Sequence, residues 1–535
     1  MPEASILKNE TFFTVSNVAV GIDTNSPSNQ VTWATGRNVR FKPGYVFKTS
    51  GKRALASLNT SGLPIRDTFT FIGIDGAAHT IICTDAKVFA ANSDFTKITD
   101  ITPTVPPTGG VDNNWEFTLV DGLPIVTNGK DAIWKWPVLT SILTPLLNAP
   151  IAQNISCCMH MLVCSNIYNN GYYYAGRIMW SEPGNPENWT IDTTKRAGKF
   201  DLMNYEDGKD AVHNIIRQIS NGSKTYFFTN HNLWVCDFSE ANKKFYCIDN
   251  DIRILSPKLA CIDKNTIYAM AVDDVWGYYN DVKKSIGMQT KNNISSVNFG
   301  NITSSFCFPM HSANEIWFCV PTDSNTSPDT AYIYNWELTQ WTIQDCDFLS
   351  HSLYYGQPPK ASSYITLYNN SGAVVTAKNN SGSIINLIGK ITVYGSIPQD
   401  ICGDSNSNIL LMDMGYNALD TSLNAIPING YIETGDIDLG NRAFEKIIEQ
   451  LFPDFVQQNS GNDIYIQIGA RNNLSLPLVW SPPCPFMIGS DFLADLRNYQ
   501  GNAAYIRIRF YSNTLDSPWT LASFTTRIKK GRLIQ

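Results

Sequence analysis

The sequence predicts an all-β protein: a β-propeller-like domain of about six blades followed by a C-terminal antiparallel β-sandwich. Three observations carry this. The composition is rich in Asn, Ser, Thr, Gly and aromatics, with 12% Phe, Trp and Tyr, 43% hydrophobic and only 16% charged residues, a mix that favours strands and turns over helices. A short polar corner flanked by apolar runs recurs, as in KTYFFTNHNLWVCDF (224–238). Near residue 430 the pattern changes to longer strands with strict alternation. Fewer than about one residue in ten is expected in helix, against a usual third. A chain of 535 residues is too long for one ordinary core, so several structural units are expected.

Residues 1–60 read as an N-terminal arm with two extended pieces. TFFTVSNVAVGID is apolar and extended, and NVRFKPGYVFKTSGK is a hairpin in which Val39 and Phe41 lead into a Pro43-Gly44 turn, followed by Tyr45 and Phe47.

Residues 61–428 form the propeller-like unit. Polar corners stand near residues 84, 128, 230 and 273, in HTIICTDAKVFAA, GLPIVTNGKDAIWKW, the 224–238 stretch and NTIYAMAVDDVWGYY. Neighbouring corners are separated by 44, about 102 and 43 residues, and the long gap has room for two further units, one of them around residues 157–189. NEIWFCVP (314–321) and TAYIYNWELTQWTI (330–343) make a hairpin, and a last one is expected over 373–389. A period of roughly 40–50 residues with several short strands each is the spacing of propeller blades. Each small sheet exposes two apolar faces, which radial packing buries; Trp134, Trp234 and Trp276 are therefore expected between blades.

Residues 429–535 read as the sandwich. Ile464, Ile466 and Ile468 point one way; Ile506, Ile508 and Phe510 point one way, with Tyr505, Arg507 and Arg509 opposite. A basic cluster, Arg527, Lys529, Lys530 and Arg532, closes the chain.

The chemistry-bearing residues give little sign of catalysis. Twelve cysteines follow no ligand spacing. Cys157, Cys158 and Cys164 form the one cluster and have only His160 near them, so no metal and no obligatory disulfide is expected there. The six histidines (79, 160, 213, 231, 311 and 351) are scattered. Glu182 and Glu187 in SEPGNPENW, a loop loosely similar to a sialidase Asp-box with Pro183 in the aspartate place, are the best glycosidase pair, with proximity alone to nominate them. No phosphate-cradling G-x-x-x-x-G-K-[ST] and no G-x-S-x-G occurs, and neither Asp273-Asp274 nor the 323–329 loop has the ligand order of a calcium loop. The reading is a non-enzyme with no catalytic residues, cofactor or metal. The N-terminus lacks the features of a signal peptide and no apolar run reaches bilayer length, so stable membrane insertion is not expected and the thiols are expected reduced on folding. A net charge of −7 argues against tight grip on DNA, though not against DNA sliding past.

Several segments, in order, resemble the tail nozzle (tail hub, or tail tubular) proteins of short-tailed bacteriophages. WATGRNVRFKPGYVFKTSGK is similar to that family's N-terminal arm, and RIMWSEPGNPENW to its tryptophan-serine hairpin. IIRQISNGSKTYFFTNHNLWVCDF and NTIYAMAVDDVWGYYND resemble two of its blades, although Asp273-Asp274 and Asn280-Asp281 stand where the family tends to carry glycine. NEIWFCVPTDSNTSPDTAYIYNWELTQWT is the nearest piece, and SPWTLASFTTRIKKGR resembles the final strand. The resemblance spans roughly residues 30–535 and rests on order and spacing more than on any one motif. It implies a homohexameric ring below the head-to-tail adaptor, a virion location after synthesis in the host cytoplasm, contacts with tail fibre or spike proteins, and transient passage of double-stranded DNA during ejection into the host. The competing class is a sugar-binding or sugar-cleaving propeller for receptor recognition, which calls for exposed Trp and carboxylates clustered on one propeller face; a third is a recognition module without activity.

Overall fold

The computed structural model describes residues 10–534 except 24–32, 59–61, 111–112, 138–140, 193, 205–210, 213, 288–295, 356–366, 369–373, 376–397, 457–462 and 500. Among the described residues, helix is confined to short 3₁₀ turns such as Pro257–Leu259 and Phe299–Ser304.

Six four-stranded antiparallel sheets follow one another along the chain, spanning 67–100, 116–145, 151–201, 215–249, 260–285 and 306–345. A seventh is assembled from Ser350–Tyr354, Gln399–Gly403, Asn408–Leu411 and, from the other end of the chain, Arg53–Ser57. Arg53–Ser57 pairs antiparallel with Asn408–Leu411, Leu411 opposite Arg53 and Asn408 opposite Ser57.

Each neighbouring pair of sheets encloses its own apolar core. Trp115, Trp134 and Trp136 lie between blades 1 and 2, Ile155 and Leu162 between 2 and 3, Trp180 and Phe227 between 3 and 4. Phe228 and Tyr278 fill the gap between 4 and 5, Phe318 and Trp341 between 5 and 6, Phe308 and Phe348 between 6 and 7. A seventh core, with Ile65, Ile82, Phe89, Ile401 and Ile409, joins blade 7 to blade 1 and closes the circle. Trp134 is buried, as expected, and Trp234 and Trp276 are half-buried against the cores of blades 3 and 4 and of blades 4 and 5.

The circle thus holds seven blades where the spacing of corners suggested about six. The difference is the blade built from both chain ends, which leaves no contiguous repeat to count. The expected hairpin at 373–389 lies outside the described residues, apart from Val374–Val375, which pairs with Leu367–Tyr368.

The recurring corner is the turn between the second and third strands of a blade. In three of the four, a polar side chain at the end of the second strand caps the turn. Thr84 Oγ1 accepts from the amides of Ala86 and Lys87 (3.4 and 3.0 Å), Asn128 Oδ1 from Lys130 and Asp131 (3.1 and 2.9 Å), and Thr229 Oγ1 from His231 and Asn232 (3.3 and 2.9 Å). The corner must reverse the chain in a few residues, and Ser, Thr, Asn and Asp do so by satisfying amides that no ladder reaches. The apolar run after it is the third strand, which returns into the inter-blade core.

The sandwich faces two sheets across a core of Ile432, Ile464, Ile466, Ile468, Ile506, Ile508, Phe510 and Phe524, all nearly inaccessible. One sheet runs Val39–Lys42, Tyr45–Lys48, Thr520–Leu533, Phe444–Phe455, Ala494–Asp495, with Glu10–Val15 also on Thr520–Leu533. The other runs Trp33–Arg37, Gly430–Thr434, Tyr505–Ser512, Asp463–Arg471, Val479–Trp480, with Cys484–Met487 also on Asp463–Arg471. The described part of residues 1–60 is therefore not a separate arm. The expected hairpin is present, with Phe41 opposite Val46, but it is part of the sandwich, and Arg53–Ser57 is part of the propeller. Alternating apolar strands that expose one face each need a partner, and the two domains supply it.

Propeller and sandwich are joined through Asn38 to Arg40. Asn38 has φ +56, a backbone that Asn tolerates better than most residues. Its amide nitrogen Nδ2 donates to Asp345 Oδ2 (2.6 Å) of blade 6, and its Oδ1 accepts from the Asp345 amide (2.8 Å). Arg40 and Glu315 are 4% and 3% exposed. The guanidinium contacts Glu315 at 2.9 Å and Asp413 at 2.5 Å, and Trp317 Nε1 donates to Glu315 Oε2 (3.0 Å). Arg40→Ala would leave Glu315 buried without its counter-charge. A loss of about 3–5 kcal/mol is expected, read from urea unfolding, with the Arg40→Ala/Glu315→Ala double variant losing less than the two singles together.

Within the sandwich, Lys48 is 4% exposed and its Nζ donates to the hydroxyls of Ser512 (2.9 Å) and Ser517 (3.0 Å). Burial holds its ammonium down at about 8. The unfolded chain keeps the ordinary lysine value, so between pH 8 and about 10.5 it binds more protons than the folded one, and stability rises with pH. Lys48→Met is expected to flatten that rise and to stabilise the protein at pH 7 by on the order of 2 kcal/mol, checked by thermal unfolding from pH 7 to 10.5.

Candidate functional site in the propeller channel

The first strand of every blade is the inner one, and together they surround a cavity of about 540 Å³ lined by residues of all seven blades. Charges meet across it. Asp67 of blade 1 pairs with Lys258 at the start of blade 5, and Glu116 of blade 2 pairs with Arg217 of blade 4. Arg66 forks onto Asp85 (2.6 and 3.2 Å). Burial pushes the Glu116 carboxyl up, Arg217 and Lys258 pull it down, and Asp67 pushes it up, so the two pairs form one network. Apolar rings flank the charges: Phe69 and Phe117 stack at 5.3 Å, and His351 stacks on Phe308 at 3.7 Å while its Nε2 meets Asp400 Oδ1 at 2.8 Å.

This arrangement spans the propeller axis with opposite charges and leaves room for a cluster of waters, at roughly 30 Å³ each. It is far too narrow for duplex DNA. Burial pushes the Cys307 thiol beside it well up, which disfavours its thiolate form.

The residues singled out in the sequence are placed elsewhere. Glu182 and Glu187 face separate structural partners. Glu182 Oε2 accepts from the amides of Arg196 (2.7 Å) and Ala197 (3.2 Å). Glu187 Oε1 accepts from Lys135 Nζ (2.7 Å) and the Leu147 amide (3.0 Å), and the Lys135 hydrogen bond lowers its carboxyl pKa, opposite to the rise a general acid needs. Burial pushes the thiols of Cys157 and Cys158 up, Cys158 to about 11, and Cys164 higher still. Among the described residues no three His, Cys, Asp or Glu side chains stand together as a metal site. His160 lies near Asp121, and His311 is 3.1 Å from Asp263. Asp274 accepts from the Val275 amide (2.7 Å) in its own turn and from Ser285 Oγ (2.6 Å) on the fourth strand of the blade.

The C-terminal cations lie along Thr520–Leu533. Arg527 meets Glu10 (2.7 Å), Lys529 meets Glu449 (3.8 Å), and Lys530 covers the ring of Phe444 at 3.5 Å. Asp67, Glu116, Arg217 and Lys258 went unnoticed in the sequence. For Glu116 and Arg217 the one local sign is a charge within an otherwise apolar first strand, as in WEF (115–117) and IIRQI (215–219).

No protein-family model and no curated protein matches the chain. Among solved structures it is similar to the AfRom2 CNH domain (9% identity, 68% of this chain and 99% of that one, TM-score 0.35). It is also similar to BamB from Moraxella catarrhalis (10%, 75% and 97%, 0.30) and YCF48 from Cyanidioschyzon merolae (8%, 68% and 98%, 0.37). At such scores the propeller assignment rests on the seven sheets and seven inter-blade cores themselves.

Glu116→Ala is expected to cost about 3 kcal/mol, because it strands a guanidinium in the channel, while Glu116→Met/Arg217→Met recovers most of that loss. Chemical unfolding of the wild type and both variants checks it; a double variant that loses more than Glu116→Ala would show that the single-variant loss does not come from the stranded guanidinium.

Proposed function

We propose that this chain is a structural subunit of the tail nozzle of a short-tailed bacteriophage. Six copies form a ring below the head-to-tail adaptor, contact tail fibre or spike proteins, and provide the channel through which double-stranded DNA leaves for the host. The observation that carries this reading is the ordered series of segments, from Trp33 to Arg532, that resembles that family. Three features support it. The Asn38–Arg40 stretch of the series is consumed in the junction between propeller and sandwich, as a rigid two-domain subunit requires. The channel inside each propeller is bridged by ion pairs, so the conduit in this reading runs between subunits. The net charge of −7 suits a wall that does not hold phosphates. No helix among the described residues is long and apolar enough to cross a membrane.

The test is the mass of the assembled particle and its rotational symmetry in class-average images. Six-fold symmetry is expected, with a lumen lined by acidic or neutral side chains and the Arg527–Arg532 cluster away from it. Wall charge acts over about a Debye length, ~8 Å in physiological salt. Lysine in place of lumen acids is therefore expected to slow genome exit without unfolding the ring. An open or monomeric assembly, or a narrowest point lined by Lys and Arg, overturns the reading.

A further inference from the structure

A second cavity, of about 470 Å³, opens where the Val39–Lys48 hairpin meets blades 6 and 7. It is acidic: Glu315, Glu337, Asp400 and Asp413 line it against two cations, Arg40 and Lys42. Arg40 is shared by Glu315 and Asp413, which leaves Asp413 one-third exposed with only half of a guanidinium. Glu337 is exposed and, among the described residues, its carboxylate accepts from Asn314 Nδ2 (2.8 Å). Phe41, Phe47 and Met412 supply apolar wall, the surface that the stem of a long cationic side chain covers well.

The complementary charge lies on the same molecule, out of reach. Phe47, a wall of the pocket, pairs with Thr520 at the start of the fourteen-residue strand Thr520–Leu533. Lys530 and Arg532 stand at its far end, roughly 33–40 Å away at about 3.3 Å per residue. Among the described residues neither has a carboxylate within ion-pair distance, and Arg532 and Leu533 are exposed. The strand holds the two charges apart, so one copy cannot neutralise itself.

We propose that the Lys530–Arg532 end of one copy docks in the acidic junction pocket of the next. A patch that fits a different patch on an identical neighbour makes a head-to-tail contact, and such contacts close into rings when the rotation per subunit divides a full turn. Arg532, with its forked donors, matches the Glu337 and Asp413 carboxylates. The inference rests on the ring reading above and names the surfaces that would build it.

The test compares full-length protein with three variants: Lys530→Glu/Arg532→Glu, Glu337→Lys, and the combination. Native mass spectrometry and light scattering follow assembly against concentration at about 0.05 and 0.5 M salt. All altered residues are outside the hydrophobic cores, so unchanged unfolding midpoints of the dissociated chains are expected and serve as the folding control. Each reversal is expected to raise the concentration for half-assembly at least tenfold, the combination to recover most of that, and high salt to weaken the wild type. Wild-type rings that are indifferent to both reversals overturn this contact and leave the nozzle reading standing. Two reversals that each weaken assembly but do not rescue one another show that tail and pocket meet different partners, which also overturns it. A wild type that stays monomeric at every concentration overturns both.

Discussion

The structure depends on the pairing of Arg53–Ser57 with Asn408–Leu411. Without that strand blade 7 lacks its outer edge, and the core of Ile65, Ile82, Phe89, Ile401 and Ile409 between blades 7 and 1 has no complete wall. The loop it closes is some 350 residues long, but closure entropy grows only with the logarithm of length. A few kcal/mol of ordering is offset by one buried inter-blade core, where each large aliphatic or aromatic side chain contributes about 2 kcal/mol. Closure also removes the free faces that a linear stack of sheets would present.

That one pairing decides the sandwich too. It brings the chain before residue 53 and the chain after 411 to the same side of the ring of blades. Glu10–Val15 and the Val39–Lys48 hairpin can then add to Thr520–Leu533, and Trp33–Arg37 to Gly430–Thr434. The sandwich is thus made from segments about 400–500 residues apart. Its link to the propeller is electrostatic: Arg40 from the hairpin enters between Glu315 of blade 6 and Asp413 beyond blade 7. Buried ion pairs contribute little net stability, because desolvation opposes the attraction, but breaking one is costly. Such pairs therefore act here as positional restraints, at the junction and again across the channel.

The candidate sites were legible to different degrees. Asn38-Val39-Arg40-Phe41 stood out as part of a hairpin, and the hairpin is there; that Arg40 points into another domain has no trace in local spacing. Glu182 and Glu187 stood out because two carboxylates share a short loop, yet one caps backbone amides and the other holds Lys135. Glu116 and Arg217 meet only because blades 2 and 4 face each other over the axis. Proximity in sequence overstated one pair, and distance in sequence concealed the other.

The sequence by itself determined the all-β class, the blade corners and the alternation of the sandwich strands, since these follow from interactions between residues a few positions apart. Thr84, Asn128 and Thr229 cap their own turns, and Ile464, Ile466 and Ile468 share a face because a strand's side chains alternate. Only the tertiary structure decided the seventh blade, the division of residues 1–60 between two domains, and the charge pairs of the channel and junction. Each of these joins segments by registry and charge across hundreds of residues, and no local period records which distant strand completes a sheet.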